Sequence, residues 1–447
     1  MQSINNEYFC AMQQEQSYIE RLGIEKLNPM QEAVISQFDK SRDFILLSPT
    51  GSGKTLAFSL ILMQLLKSYK IQASSALIVV PTRELALQIE SVIRKMDNTL
   101  SLVCLYGGND NRLERNKLKE GPTLIVATPG RLIYHLERMP ALLENCHTLI
   151  LDEFDKSLEL GFADQISYII NSCRNIKHQV MTSATDVTES PNTIQLNDPI
   201  KLDFLNKEAL LPNLDYHRVE VSSKMKLEGL FKLICKIGTE RILVFCNHRE
   251  AAEHISELLE TKGIDSIPYH GGLDQFFREL AILKIKNGSQ LILVTTDLAS
   301  RGLDIPDMNH VIHYQFPPKE EDFIHRNGRA GRNKQEGHIY GVLTVDERIP
   351  TYFAEVPTMA LDEFYPIPDQ PKYQTIRITA GKRQKVNKID IVGFILNLGD
   401  FKKEDIGLID VKPNESYVAV DRSIAREVIK LGNQGRIKNQ KVRLNLI

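Results

Sequence analysis

The feature that most constrains this chain is Ser48-Pro49-Thr50-Gly51-Ser52-Gly53-Lys54-Thr55. It follows an apolar run, Phe44–Leu47, that reads as a buried strand, and it precedes Leu56–Met63, which reads as a helix. A strand, a glycine-rich turn and a helix opening on Lys-Thr are the context of a phosphate loop. Gly51 and Gly53 let the backbone curl so that successive N–H groups, that of Ser52 among them, converge on one anion. The helix N-terminus adds partial positive charge and Lys54 a full one. Thr55 offers a hydroxyl to a Mg²⁺ ion. The pattern is relaxed at its first position, where Ser48 or Thr50 stands in place of a glycine. A chain organised around such a turn is expected to fold as an α/β protein and to bind a nucleoside triphosphate.

At 447 residues the chain has room for roughly two to four domains. No apolar run approaches the roughly 18–20 residues that a membrane-spanning helix needs, so no membrane partner is expected. The stretch Met1–Glu7 has neither a basic nor an apolar character, so no signal peptide is predicted. The six cysteines, Cys10, Cys104, Cys146, Cys173, Cys235 and Cys246, include no C-x-x-C pair. That argues against a zinc site or a disulfide framework and predicts a cytoplasmic protein. The net charge of −2 conceals an asymmetry: from Pro371 to Ile447 there are 16 Lys/Arg and 8 Asp/Glu, a net of +8 on an otherwise acidic body. A basic tail of this kind suggests a nucleic-acid anchor.

Along the chain, Ala76–Val80, Leu102–Tyr106, Thr123–Ala127, Thr148–Leu151 and Gln179–Thr182 read as further buried strands. Each ends in a turn rich in polar or small residues: Pro81–Ala86, Gly107-Gly108, Thr128–Arg131, Asp152–Asp155 and Ser183–Thr185. In an open α/β sheet ligands bind outside the carboxyl ends of the strands, so these turns are expected along one edge of one sheet. Asp152 is suited to holding Mg²⁺, largely through water, opposite Thr55, and Glu153 to deprotonating an attacking water. Gln31 follows a proline at the start of an amphipathic helix, and its two-sided amide matches the edge of adenine.

Residues from about 205 to 220 read as a transition, within which Leu210–Asp215 has no clean period and reads as a linker. The βα alternation then restarts, without a second phosphate loop. In His325–Arg332 the arginines at 326, 329 and 332 are spaced to line one loop or helix face, where guanidinium groups would stabilise phosphoryl transfer. Prolines at 357, 366, 368 and 371 mark a boundary. Beyond it the pattern is βαββαβ, the ferredoxin-like order that RNA-recognition domains use. Tyr417 is the one aromatic in the predicted tail strands, so any RNA is expected on the basic loops carrying Lys382, Arg383, Arg436 and Lys438.

Taken together, Gln31, Ser48–Thr55, Pro81–Ala86, Gly107-Gly108, Thr128–Arg131, Asp152–Asp155, Ser183–Thr185, Thr296–Asp304 and His325–Arg332 resemble, in order, the motifs of the DEAD-box RNA helicases of superfamily two. The tail is similar to the C-terminal RNA-binding domain of the DbpA-like bacterial members, which are directed to large-subunit ribosomal RNA. The resemblance implies two tandem RecA-like parallel-sheet domains, at 1–207 and 208–365, and a small α+β (βαββαβ, RRM-like) domain at 372–447. It implies a monomeric, ATP- and Mg²⁺-using RNA helicase that remodels short duplexes by domain closure, or alternatively an RNA clamp gated by nucleotide. It further implies catalytic roles for Lys54, Glu153, His325, Arg329 and Arg332, ribose contact by Asp304, and coupling of hydrolysis to closure by Ser183 and Thr185. RNA would meet Arg83, Gly108, Thr128 and Arg131 on one domain, and Gly271, Thr296, Asp297 and Arg301 on the other. Three departures stand out: Phe154 replaces the usual alanine after Glu153, Leu27-Asn28 replaces the usual Pro-Thr near Gln31, and the candidate upstream aromatic, Phe9, stands at a short spacing.

Overall fold

The structure, a computed structural model, describes residues 16–49, 51–68, 73–108, 110–186, 194–205, 213–297, 305, 308–331 and 336–447. These fall into two compact units, one ending at Leu211 and the other beginning at Pro212.

In the first unit the apolar runs pair as seven parallel strands among the described residues, in the order β3-β4-β2-β5-β6-β1-β7. They are β1 (Phe44–Leu47), β2 (Ala76–Val79), β3 (Leu102–Leu105), β4 (Leu124–Ala127), β5 (Thr148–Leu151), β6 (His178–Ser183) and β7 (Ile200–Asp203). Consecutive side chains alternate between faces, and both faces are covered, which is why the strands β1 to β5 are almost entirely apolar, while the edge strand β7 carries the exposed Lys201 and Asp203. Leu46, Ile78, Val126, Ile150 and Val180 point into one core, shared with the helix Lys54–Ser68. Leu77, Val79, Ile125, Leu149 and Leu151 point into the other. Phe154 is buried in that second core beside Leu151, Ile166 and Met181, so the bulky ring that departs from the family pattern fills interior volume.

Among the described residues the second unit has six parallel strands in the order β10-β11-β9-β12-β13-β8. They are β8 (Leu214–Val221), β9 (Ile242–Phe245), β10 (Ile267–Tyr269), β11 (Ile292–Thr295), β12 (His310–His313) and β13 (Gly337–Thr344). Strand β8 corrects the expectation of a linker: its backbone pairs with β13 from Leu214↔Gly337 to Val221↔Thr344. It is an edge strand in which half the residues, Asp215, His217, Arg218 and Glu220, are polar, and these mask its alternation. The motif His325–Arg332 begins in the last turn of a helix, Glu320–Asn327.

The tail forms an antiparallel sheet, β15-β16-β14-β19, from β14 (Tyr373–Ile378), β15 (Ile406–Val411), β16 (Ser416–Asp421) and β19 (Leu444–Leu446). The helices Lys388–Leu396 and Ala425–Gly432 cover one face through Ile391, Ile395, Ala425 and Val428. Two-residue strands β17 (Arg436–Ile437) and β18 (Gln440–Lys441) form a hairpin whose turn residues, Lys438 and Asn439, both have positive φ, as a type I′ turn requires. The other sheet face is not free. The buried Thr375 hydroxyl accepts from Asn287 Nδ2 at 2.8 Å and shares a hydrogen with Ser289 Oγ at 2.6 Å. Tyr417, on that face, is only 4% exposed.

His313 ends β12 fully buried, with its ring centroid 4.6 Å from that of Phe323 and its Nε2–H donating to Asn327 Oδ1 at 2.8 Å. Burial, and then the Arg326 charge, push its pKa down to about 3 from the ordinary 6.5. Because the folded value lies below the unfolded one, the stability tied to a neutral His313 is complete above pH 6.5 and is lost as pH falls toward 3. The loss is up to about 1.4 kcal/mol per pH unit. Denaturant titrations at pH 7, 6 and 5 should show the second unit weakening and the His313→Gln variant losing about half of that slope, since burial also pushes His310 down to about 4; parallel curves would contradict this.

Candidate functional site

The strand order sorts the motif-bearing turns. β1, β6 and β5 are neighbours, so the phosphate loop, Ser183–Thr185 and Asp152–Asp155 lie side by side. β2, β4 and β3 form the adjoining half of the sheet, and their carboxyl ends carry Arg83, Thr128 and Gly107-Gly108.

In the phosphate loop, Gly51 and Gly53 have φ of 83° and 91°, the region that only glycine enters freely. A Cβ on Gly53 would stand 2.4 Å from Gln31 Nε2. Ser48 Oγ donates to Ser52 Oγ at 2.7 Å, and the Ser48 N–H bonds Ser183 O at 3.0 Å. Lys54 is buried, its Nζ donating to Ser48 O at 2.5 Å and Pro49 O at 3.2 Å. Thr55 is half-buried on the first turn of the following helix. Phe9 and Thr50 lie outside the described residues.

Gln31 and Asn28 grip this loop from the helix Pro29–Gln37. Asn28 is its N-cap: Asn28 Oδ1 accepts from Gln31 N at 2.9 Å, and Gln31 Oε1 accepts from Asn28 N at 3.0 Å. The two remaining amide groups reach the loop, with Asn28 Nδ2 donating to Ser52 O at 2.8 Å and Gln31 Nε2 to Gly53 O at 3.2 Å. Asn28, a departure from the family pattern, thus serves as cap and loop clamp together. Sequence reasoning missed it, although the spacing Asn28-x-x-Gln31 before an apolar run is a capping-box signal.

Asp152 is 3% exposed; burial pushes its carboxyl up, against a hydrogen bond from Thr182 Oγ1 and the charge of Lys54. Glu153 sits in the left-handed region, φ 48° and ψ 51°, where a non-glycine residue is strained and stays only if its surroundings hold it. They do: its N–H donates to Asp152 Oδ1 at 3.1 Å and to Thr182 Oγ1 at 3.3 Å. Asp155 joins this turn to the next, its Oδ2 accepting from Ala184 N at 3.0 Å and Thr185 Oγ1 at 2.9 Å. Ser183 Oγ in turn accepts from Thr185 N at 3.0 Å.

On the other half of the edge, Arg83 Nη1 donates to Gly107 O at 3.3 Å and lies against Gly108. Thr128 caps the helix Pro129–Leu136 by position, without a side-chain bond. Arg131 Nε bonds the buried Glu114 Oε2 at 2.7 Å, an oxygen that His135 Nε2 shares at 2.8 Å. Glu114 gave no signal in a helix of alternating charges.

In the second unit Gly271, Thr296 and Asp297 follow β10 and β11. The expectation that three arginines line one face is overturned at Arg326, which is fully buried. It donates to Asp297 Oδ1 at 2.6 Å, Gln315 O at 2.8 Å and Asn247 Oδ1 at 2.9 Å, and lies over the Phe245 ring. A buried guanidinium needs this many acceptors to offset its desolvation. His325 and Arg329 are also buried; Arg301, Asp304 and Arg332 lie outside the described residues. In the tail Lys382, Arg383, Arg436 and Lys438 are exposed, and Lys438 Nζ donates to Lys385 O at 2.6 Å, tying the two basic loops together.

Residues 28–193 match the DEAD/DEAH box helicase family, 225–334 the helicase conserved C-terminal domain and 375–446 the DbpA RNA binding domain. The ATP-dependent RNA helicase DbpA of Escherichia coli (strain K12) is 30% identical over 442 residues, covering 96% of each chain. The chain belongs to the DEAD-box ATP-dependent RNA helicases. The DEAD-box ATP-dependent RNA helicase CshA of Geobacillus kaustophilus is 34% identical over 337 residues, 74% of this chain and 71% of that one. Among solved structures, the DEAD-box helicase Mss116 bound to ssRNA and UDP-BeF superposes with a TM-score of 0.68 at 25% identity, covering 78% of each chain. This helicase binds ATP and RNA and is an RNA-dependent ATPase. No described helix is long and apolar enough to cross a membrane.

Replacing Asn28 separates its two tasks. Asn28→Ala should lower stability by about 1 kcal/mol through the lost cap and weaken binding of a non-hydrolysable ATP analogue severalfold. Asn28→Ser, which caps but does not reach Ser52, should restore stability without restoring affinity. Equal affinity in all three proteins by calorimetric titration would show that the clamp does not shape the loop.

Proposed function

We propose that this helicase separates short RNA duplexes locally, on structured ribosomal RNA of the large subunit, using one hydrolytic centre at the carboxyl ends of β1, β5 and β6. The observation that carries the hydrolytic assignment is the strained backbone of Glu153, fixed by Asp152 and Thr182 beside the phosphate loop. In this reading the loop N–H groups and Lys54 bind the phosphates, Lys54 exchanging its loop carbonyls for phosphate oxygens. Glu153 accepts the proton of the attacking water, contributing general-base catalysis.

The donor set also fits Mg²⁺: a buried carboxylate whose charge is poorly solvated and, at the same sheet edge, a threonine hydroxyl on the first helical turn. Asp152, through water, and Thr55 would hold the ion, which would supply charge neutralisation for the phosphates. Arg329, Arg332 and Asp304 are proposed to complete the site when ATP and RNA close the enzyme, and Gln31 to read adenine. Ser183 and Thr185 are the proposed coupling residues, because Asp155 ties them to the hydrolytic turn.

RNA backbone is proposed to run over Arg83, Gly108, Thr128 and Arg131 in one unit and Gly271, Thr296, Asp297 and Arg301 in the other, read through phosphate and 2′-OH groups with little sequence preference. The family resemblance supports the ribosomal target for the tail. Its two basic loops, joined by Lys438, are its candidate RNA surface, since the covered sheet face offers no stacking platform.

Glu153→Gln should lower RNA-stimulated ATP turnover by about 10²-fold or more, while alanine at Lys382, Arg383, Arg436 and Lys438 together should raise the half-saturating concentration of a ribosomal RNA hairpin and leave maximal turnover intact. Near-normal turnover in the first protein would refute the base assignment. Equal stimulation of the unmodified enzyme by DNA of the same sequence would refute RNA as substrate.

A further inference from the structure

Strands β8, β13 and β12 bring an unusual set of side chains to one face of the second unit's sheet. Asp215 pairs in register with His338, His217 with Tyr340, and His310 with His338, so all five side chains project from the same side. They sit near the amino ends of these strands, at the opposite edge of the sheet from the turns that carry Thr296 and Asp297. None belongs to the nucleotide or RNA motifs.

Three of them converge. Asp215 Oδ2 lies 2.8 Å from His217 Nε2 and 3.6 Å from His338 Nδ1. The three donor atoms all fall within 4.8 Å of one another, the only such group of His, Cys, Asp or Glu among the described residues. A tetrahedral ion with metal–nitrogen and metal–oxygen bonds of about 2.0–2.2 Å separates its donors by roughly 3.4 Å. The observed distances bracket that value.

The rings are also held in place. His338 stacks on His310 with centroids 5.1 Å apart and planes at 15°, and His217 stacks on Tyr340 at 5.2 Å and 23°. The Tyr340 hydroxyl is 3.2 Å from His310 Nδ1, so the two supporting rings are themselves tied together. Asp215, His217 and His338 remain partly open to solvent, which gives an ion a way in and leaves positions for water.

We propose that Asp215, His217 and His338 bind one divalent first-row transition-metal ion of the zinc, cobalt or nickel class. Two imidazoles and one carboxylate suit these borderline ions and not Mg²⁺ or Ca²⁺, which take oxygen donors. The scattered cysteines pointed away from a thiolate zinc site and could not reveal this one, which exists only once β8 pairs with β13. The ion would pin β8, the edge strand with which the described part of the second unit begins, to its neighbour β13.

Titration of the full nucleotide-free chain with Co²⁺, followed by visible d–d absorption and by calorimetry, tests this. One more equivalent should bind to the unaltered protein than to Asp215→Asn or His338→Ala, or these variants should bind it about tenfold or more weakly. The ion should also raise the thermal midpoint of the unaltered protein and not of Asp215→Asn, an isosteric change whose fold is checked by circular dichroism. RNA-stimulated ATP turnover of Asp215→Asn should match the parent. Equal Co²⁺ binding by parent and variants, no binding by the parent, or a near-ultraviolet thiolate charge-transfer band in place of the lost d–d signal would each overturn the proposal.

Discussion

The Asp155 carboxylate, buried between the ends of β5 and β6, is the contact that holds the motif-bearing turns of the first unit together. Its oxygens accept from the Lys156 and Ala184 amides and the Thr185 hydroxyl, and so fix the turn that carries Asp152 and Glu153 against the turn that carries Ser183. The Ser48 amide then bonds Ser183 O, which brings the phosphate loop into the same frame. A carboxylate in such a place must be fully hydrogen-bonded, because an unsatisfied one would cost several kcal/mol. Glu153 can hold its left-handed backbone because its neighbours leave that amide no better partner.

The same economy of buried charge appears wherever the motifs touch the interior. Arg326 is enclosed by Asp297, Gln315 and Asn247, and Arg131 by Glu114, which His135 also engages. These pairs are weak grounds for stability but strong constraints on geometry, since removing either partner strands the other. They set the orientation of turns whose exposed backbone is left for ligands. Asn28 and Gln31 do the same for the phosphate loop with neutral amides.

Much of this architecture was legible before any coordinates. Strands such as Phe44–Leu47, Thr148–Leu151 and Ile242–Phe245 are buried on both faces and therefore show as uninterrupted apolar runs between turn signals. The strand β8 was not legible, because it is only partly buried at the sheet edge and its polar residues break the pattern. The phosphate loop and the Asp152-Glu153 pair are contiguous in sequence and so announce themselves. Thr182, Glu114 and Asn247 act on partners in other elements, and no local pattern marks them. Arg326 misled for a related reason: its spacing from Arg329 matches a helical face, but the partners that draw it inside lie 29 and 79 residues away.

We propose that Ser183 and Thr185, tied to the hydrolytic turn through Asp155, join hydrolysis to duplex displacement. The most direct test measures RNA-stimulated ATP turnover and duplex displacement together on Thr185→Val, which removes one hydroxyl and keeps the packing volume. The account predicts turnover within severalfold of the parent and displacement reduced by about tenfold or more, the scale of a single coupling free energy. Displacement that survives intact, or falls only in proportion to turnover, would contradict it.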